Sequence, residues 1–155
     1  MKTCLTFLTA LCGLLATTTL FAQTDMVWDL HGVGFKVPDD FKIETNNSEE
    51  FSAGNDYLHL LIAPIQDAEI TKDDLAEAVL VMATEMGYDS VDEGDRLDID
   101  DFTGYYVKGT KDGINAVVMA LLDRESSTNL LVVIVYHDDY EDEAVEIAGS
   151  FYAYD

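Results

Sequence analysis

The chain has 155 residues, 48% of them hydrophobic, with eight Lys and Arg against 31 Asp and Glu for a formal net charge of −23. That length holds one domain with a core large enough to fold without staples. The charge excludes nucleic-acid binding, which needs a basic face to neutralise phosphates, and it disfavours anionic membrane surfaces.

The first element is a leader. Met1-Lys2-Thr3 is short and cationic, Cys4 to Phe21 carries no charge, and Ala22-Gln23-Thr24-Asp25 opens the acidic part. This is the layout of a secretory signal peptide. The expected organisation is a signal peptide over residues 1–22 and a single exported domain over 23–155, placed in the periplasm or outside the cell. Cleavage after Ala16 is the alternative site. A retained anchor is the other alternative, but five Thr and one Gly make the apolar stretch a poor one. Leu11 before Cys12 and Thr3 before Cys4 do not fit a lipoprotein site. Cleavage removes both cysteines, leaving no disulfide, no thiolate nucleophile and no Cys ligand in the domain.

Val27–Leu30 and Val33–Val37 read as two strands joined at His31-Gly32 into a hairpin that Pro38-Asp39-Asp40 ends. Asn46–Glu50 reads as a loop. Asn55-Asp56 precedes an apolar strand from Tyr57 to Ala63, closed by Pro64. Thr71 is the expected cap of a helix whose first turn carries Asp73 and Asp74. Leu75, Ala78, Val79, Met82, Ala83 and Met86 form its buried stripe, and Gly87 its stop.

A meander follows. Arg96–Asp100 is a short polar strand, Asp101–Gly104 a turn, and Tyr105–Thr110 the next strand. Asp112-Gly113 is a strong hairpin signal, because both central positions of that turn favour positive φ. Ile114–Leu122 returns, Arg124–Asn129 loops, and Leu130–Tyr136 is apolar enough to be covered on both faces. A helix begins near Asp139, with Asp138 or Asp139 as cap and Ala144, Ile147, Ala148 and Phe151 as its buried stripe.

The fold class is therefore α+β: an antiparallel sheet of about six strands with two helices packed on it. Gly34-Phe35-Lys36-Val37-Pro38, Ile99–Gly104, Gly109–Gly113 and Ile147–Phe151 resemble the PsbP-like family. That fold is shared by a photosystem oxygen-evolving subunit, a nuclear GTPase-release factor and many small secreted bacterial proteins. The resemblance covers nearly all of residues 23–155 and rests on packing and turn motifs. It implies a PsbP-like α/β/α sandwich and an accessory role without catalysis.

Candidate chemistry is sparse. His31 is expected in a solvated turn and His59 half-buried on a strand. His137, followed by Asp138 and Asp139, is the one arrangement that fits a small hydrolase, although helix capping already explains both acids. In the acidic run Asp92–Asp101, Asp98 and Asp100 would share the outer face of a strand and can hold calcium weakly. The overall acidity reads first as solvation, second as adaptation to salt and third as divalent-cation binding. No Gly-x-Ser-x-Gly elbow or phosphate loop occurs, and Gly149-Ser150-Phe151 is expected inside the last helix. Tyr105 and Tyr106 point to opposite faces of a strand, while Tyr136, Tyr140, Tyr152 and Tyr154 crowd the C-terminal end.

The expected function is an exported, non-enzymatic binding or accessory protein of the bacterial envelope, with no cofactor. Its partner would be a protein or small ligand, and no membrane-spanning segment would remain after cleavage. The alternatives are a calcium-responsive acidic domain and a hydrolase built on His137 and Asp138.

Overall fold

The computed structural model describes residues 22–65 and 70–154. The expected leader, apart from Ala22, lies outside the described residues. The strands are β1 (Gln23–Trp28), β2 (Val33–Pro38), β3 (Lys42–Asn46), β4 (Phe51–Gly54), β5 (Leu58–Pro64), β6 (Asp95–Ile99), β7 (Phe102–Lys111), β8 (Ile114–Asp123), β9 (Asn129–Tyr136) and β10 (Tyr152–Ala153). The helices are α1 (Leu75–Glu85) and α2 (Glu141–Ala148).

Seven strands form one antiparallel sheet in the order β3-β4-β5-β9-β8-β7-β6. The side-chain period of two makes β8 its middle layer. Val117, Met119 and Leu121 enter one core, and Val118, Ala120 and Leu122 the other. The α+β class holds, with the two helices on opposite faces of the sheet. Leu75, Val79 and Ala83 seat α1 over β7 and β8, while Ala144, Ile147 and Ala148 seat α2 in the larger core.

A second sheet, β1-β2-β10, closes that larger core. The expected β1–β2 hairpin forms, but it pairs with β10 and not with the main sheet. Its side chains pack inward: Phe35 lies edge-on to Phe51 at 5.2 Å and beside Phe151 at 5.3 Å. Trp28 is fully buried, and its indole N–H donates to the Asn47 carbonyl at 2.8 Å, so no polar group is stranded.

Three strands have no counterpart in the sequence reading. β3 is polar and leaves Ile43 53% exposed, and β4 is a short Phe-Ser-Ala-Gly segment. Neither shows an apolar alternation; each is recruited because the free edge of β5, and then of β4, offers backbone partners. β10 is two residues long and forms only against Gly34 and Val33.

Several boundaries differ from expectation. The first strand starts earlier and ends at Trp28, so Asp29 and Leu30 lie in a 3-10 turn, and the strand expected from Tyr57 to Ala63 runs from Leu58 through Pro64. The first helix begins at Leu75 with Asp74 at the cap position; Thr71 instead donates its hydroxyl to the Asp74 carboxylate at 2.7 Å. The meander turn sits at Asp100-Asp101, and Phe102–Gly104 are already strand. Tyr140, not Asp138 or Asp139, precedes the last helix, after a single 3-10 turn over Asp138–Tyr140. That helix ends at Ala148, so Ser150 and the buried Phe151 lie beyond it. The expected stops hold: Gly87 takes φ +84°, and the β7–β8 turn takes φ 53° at Asp112 and 78° at Gly113. Among the described residues no helix is long and apolar enough to cross a membrane.

Candidate functional site

Chemistry-bearing side chains gather at the end of the main sheet where β5 starts and β9 stops. The β4–β5 turn is closed by the Asn55 N–H donating to the Leu58 carbonyl at 2.9 Å. The Asn55 side-chain oxygen accepts the N–H groups of Tyr57 and Leu58, at 2.9 and 2.8 Å. Its amide donates to Asp40 at 3.0 Å. An Asx turn of this kind fixes the backbone of Tyr57 without restraining its ring.

Next to it, the His137 N–H donates to the Tyr57 carbonyl at 3.1 Å. The His137 carbonyl in turn accepts the Tyr140 N–H at 2.9 Å. This turn folds Tyr140 back over Tyr57, and the rings stack 4.6 Å apart at 8°. His137 stands edge-on to Tyr57 at 6.3 Å. The Tyr57 ring remains 49% exposed and lines a depression of about 330 Å³ with Asp40, Lys42, Glu44 and Asp56. The Tyr140 hydroxyl is pushed above its ordinary range by desolvation, then by Tyr57 and the carboxylates of Glu143, Asp139 and Asp40.

Across the α2 start lies a second polar depression of about 280 Å³. Asn115 donates its amide to Asp138 at 2.5 Å, and Lys108 pairs with Glu141. The hydrogen bond to Glu141 holds the Lys108 ammonium above its usual range. Burial, and then the Glu141 charge, raise the Tyr136 hydroxyl. Beyond Lys108 an apolar groove of about 200 Å³ runs between α2 and the sheet, walled by Leu97, Met119 and Val145. Val145 is 51% exposed on a helix whose other outward positions are acidic.

The His137–Asp138 arrangement is not assembled as a base and its orienting acid. Asp138 is engaged by Asn115, and the exposed His137 meets the Tyr57 ring. His31 departs from expectation. It is half-buried, 4.1 Å from the Trp28 ring, with Nε2 2.9 Å from the Ser48 carbonyl, which makes that nitrogen the proton-bearing one. His59 is half-buried as expected, with Nε2 2.8 Å from Glu44.

Asp98 and Asp100 do not share a face. Asp98 accepts from Thr103 and from Arg124, each at 2.9 Å, while Asp100 occupies the turn at φ 28°. Among the described residues no group of three or more His, Cys, Asp or Glu is placed to hold a metal ion. Ser150 donates to the Ile147 carbonyl at 2.7 Å and accepts the Lys36 N–H at 2.9 Å, a structural role.

The C-terminal tyrosines divide between the two ends of the sheet. Tyr136 and Tyr140 are at the end just described. Tyr152 and Tyr154 lie at the other, where Tyr154 helps line a cavity of about 510 Å³ with Asp101, Asp123 and Glu125. Tyr57 was not singled out by sequence reasoning, which saw only an apolar strand. The local signal was Asn55-Asp56 directly before an aromatic residue, a turn that lifts the ring out of the strand.

The chain matches no family model and no curated protein. Solved structures do match. A protein from Bacteroides thetaiotaomicron superposes with TM-score 0.52 at 10% identity, over 87% of this chain and 49% of that one. The chain thus spans about half the length of that relative. The Ran-binding protein Mog1p of Saccharomyces cerevisiae gives TM-score 0.57 at 9% identity, over 87% of this chain and 97% of Mog1p. LpqN of Mycobacterium tuberculosis, involved in cell envelope biogenesis, gives 0.52 at 13%, over 86% and 91%. Identities this low speak to architecture and not to activity. The fold is the Mog1/PsbP-like α+β arrangement, two helices against antiparallel sheets.

Proposed function

We propose that this chain is an exported, non-enzymatic binding or accessory protein of the bacterial envelope. The observation that carries the binding role is the Tyr57–Tyr140 stack, an aromatic surface whose two backbones are joined through His137 and whose Tyr57 is left half-exposed. A large aromatic side chain offers much contact area for few rotatable bonds and so loses little entropy on contact, which is why such residues dominate interfaces. Export is supported by the leader-like Met1–Ala22. Two relatives in fold, a Ran-binding protein and an envelope-biogenesis protein, fit an accessory role.

Export is tested by fractionating cells that express the full chain and weighing the product. The expected species lies outside the cytoplasm and begins at Gln23. A full-length cytoplasmic species contradicts export. The binding role is tested by cross-linking in the envelope fraction, comparing the native chain with Tyr57→Ser and Tyr140→Ser. A specific cross-linked species that weakens in either variant is expected; identical patterns in all three remove the aromatic stack as the contact.

A further inference from the structure

We infer that the Tyr57 face is a seat for an arginine side chain presented by a basic segment of a partner protein. This rests on the binding role proposed above and names its site and chemistry. Tyr140 covers one face of the Tyr57 ring in near-parallel contact and His137 stands perpendicular to it at 6.3 Å, yet Tyr57 stays 49% exposed and lines the depression, where its remaining ring surface can be covered. The stacked pair leaves no gap between its rings for a quaternary ammonium, and the one perpendicular ring beside it, His137, does not by itself complete a box. An exposed ring surface beside a depression suits a planar cation, which stacks on it and is drawn to the negative π surface.

The rim supplies the matching charge. Asp40, Glu44 and Asp56 line the same depression against one cation, Lys42. A guanidinium lying on the ring presents its N–H fork outward, where a carboxylate accepts two of them. A neutral sugar also stacks on tyrosine, but it needs amide and hydroxyl partners. The nearby amide, Asn55, already donates to Asp40 and accepts from Tyr57 and Leu58. What the rim offers is carboxylate: Asp56, with Asp40 and Glu44 keeping acceptor capacity beside their bonds to Asn55 and His59. The net charge of −23 adds a long-range pull on any basic segment.

The test titrates isotope-labelled protein with acetyl-Gly-Arg-Gly-Arg-Gly-amide, its lysine analogue and its neutral citrulline analogue. Salt is held at about 0.15 M so that distant charges are screened. Amide shifts are expected to concentrate at Asn55, Tyr57 and His137. The arginine peptide is expected to bind about tenfold tighter than the citrulline peptide and several-fold tighter than the lysine peptide. Tyr57→Leu and Asp56→Asn are each expected to weaken arginine binding roughly fivefold or more, with melting midpoints checked to show both variants fold. Equal affinity for arginine and lysine peptides with shifts spread over the acidic surface overturns the inference, as does arginine binding unchanged in Tyr57→Leu. Equal binding of the citrulline peptide overturns it too. An envelope partner cross-linked equally by the native chain and Tyr57→Leu removes this seat while leaving a binding role elsewhere on the protein.

Discussion

The ring of Tyr140 lies parallel to that of Tyr57, with centroids 4.6 Å apart and planes 8° from each other. The two residues are far apart in sequence. They meet because His137 bonds to both backbones, accepting from one and donating to the other. The stack therefore reports on the joint between β5, β9 and the start of α2, and it couples the proposed binding surface to the sheet.

Aromatic pairs contribute about 0.5–1.5 kcal/mol beyond their area. A double-mutant cycle over Tyr57→Leu and Tyr140→Leu should return a coupling energy in that range from urea unfolding. Additive effects would mean that the rings do not hold each other in solution.

Phe35 is the centre of the larger core, fully buried between Phe51 and Phe151. Phe35→Ala should cost about 3–5 kcal/mol, because it removes the transfer energy and leaves a cavity between two sheets. Denaturant midpoints measure it. A loss under about 1 kcal/mol would show that the three-stranded sheet collapses onto the gap.

Gly113 isolates a backbone effect. Its φ is 78°, and a Cβ built there meets nothing within 4 Å. Gly113→Ala should therefore destabilise by about 1 kcal/mol through left-handed strain alone, and Gly113→Asn by less, since Asn tolerates that region. Equal stability of Ala and Asn variants contradicts this account.

At the opposite end of the sheet, the Tyr154 hydroxyl donates to Asp29 at 2.5 Å, and that bond pushes its pKa up to about 12. The folded pKa exceeds the unfolded value of about 10, so the bond's contribution is fully present below about pH 10. It is lost as pH rises through about 12. Other tyrosines, Tyr88, Tyr136 and Tyr140 among them, are also raised, so the absorbance titration of Tyr154→Phe should differ from that of the native chain by the loss of one late phenolate near pH 12, and the stability gap between the two proteins should narrow across that window. A gap that is constant to the end of the titration is the contrary result.

The fold class was legible in the chain. The uncharged stretch before Ala22, with Cys4 and Cys12 inside it, is read from composition alone. The long strands β8 and β9, the helix stripe Leu75–Val79–Ala83 and the Asp112-Gly113 turn follow from local period and turn chemistry. These signals are local, because each depends on residues within one element.

The tertiary structure alone decided the rest. β3, β4 and β10 exist because a neighbouring edge offers hydrogen-bond partners, which no short segment of sequence records. Asp98 is paired with Arg124 and not with Asp100, since a turn one residue earlier than expected moves Asp100 off the strand face. Tyr57 and Tyr140 become one surface only when β5 and β9 pair and the chain turns at His137. Period and propensity describe how a segment folds by itself; which edges meet, and which side chains share a face across them, is set by long-range pairing.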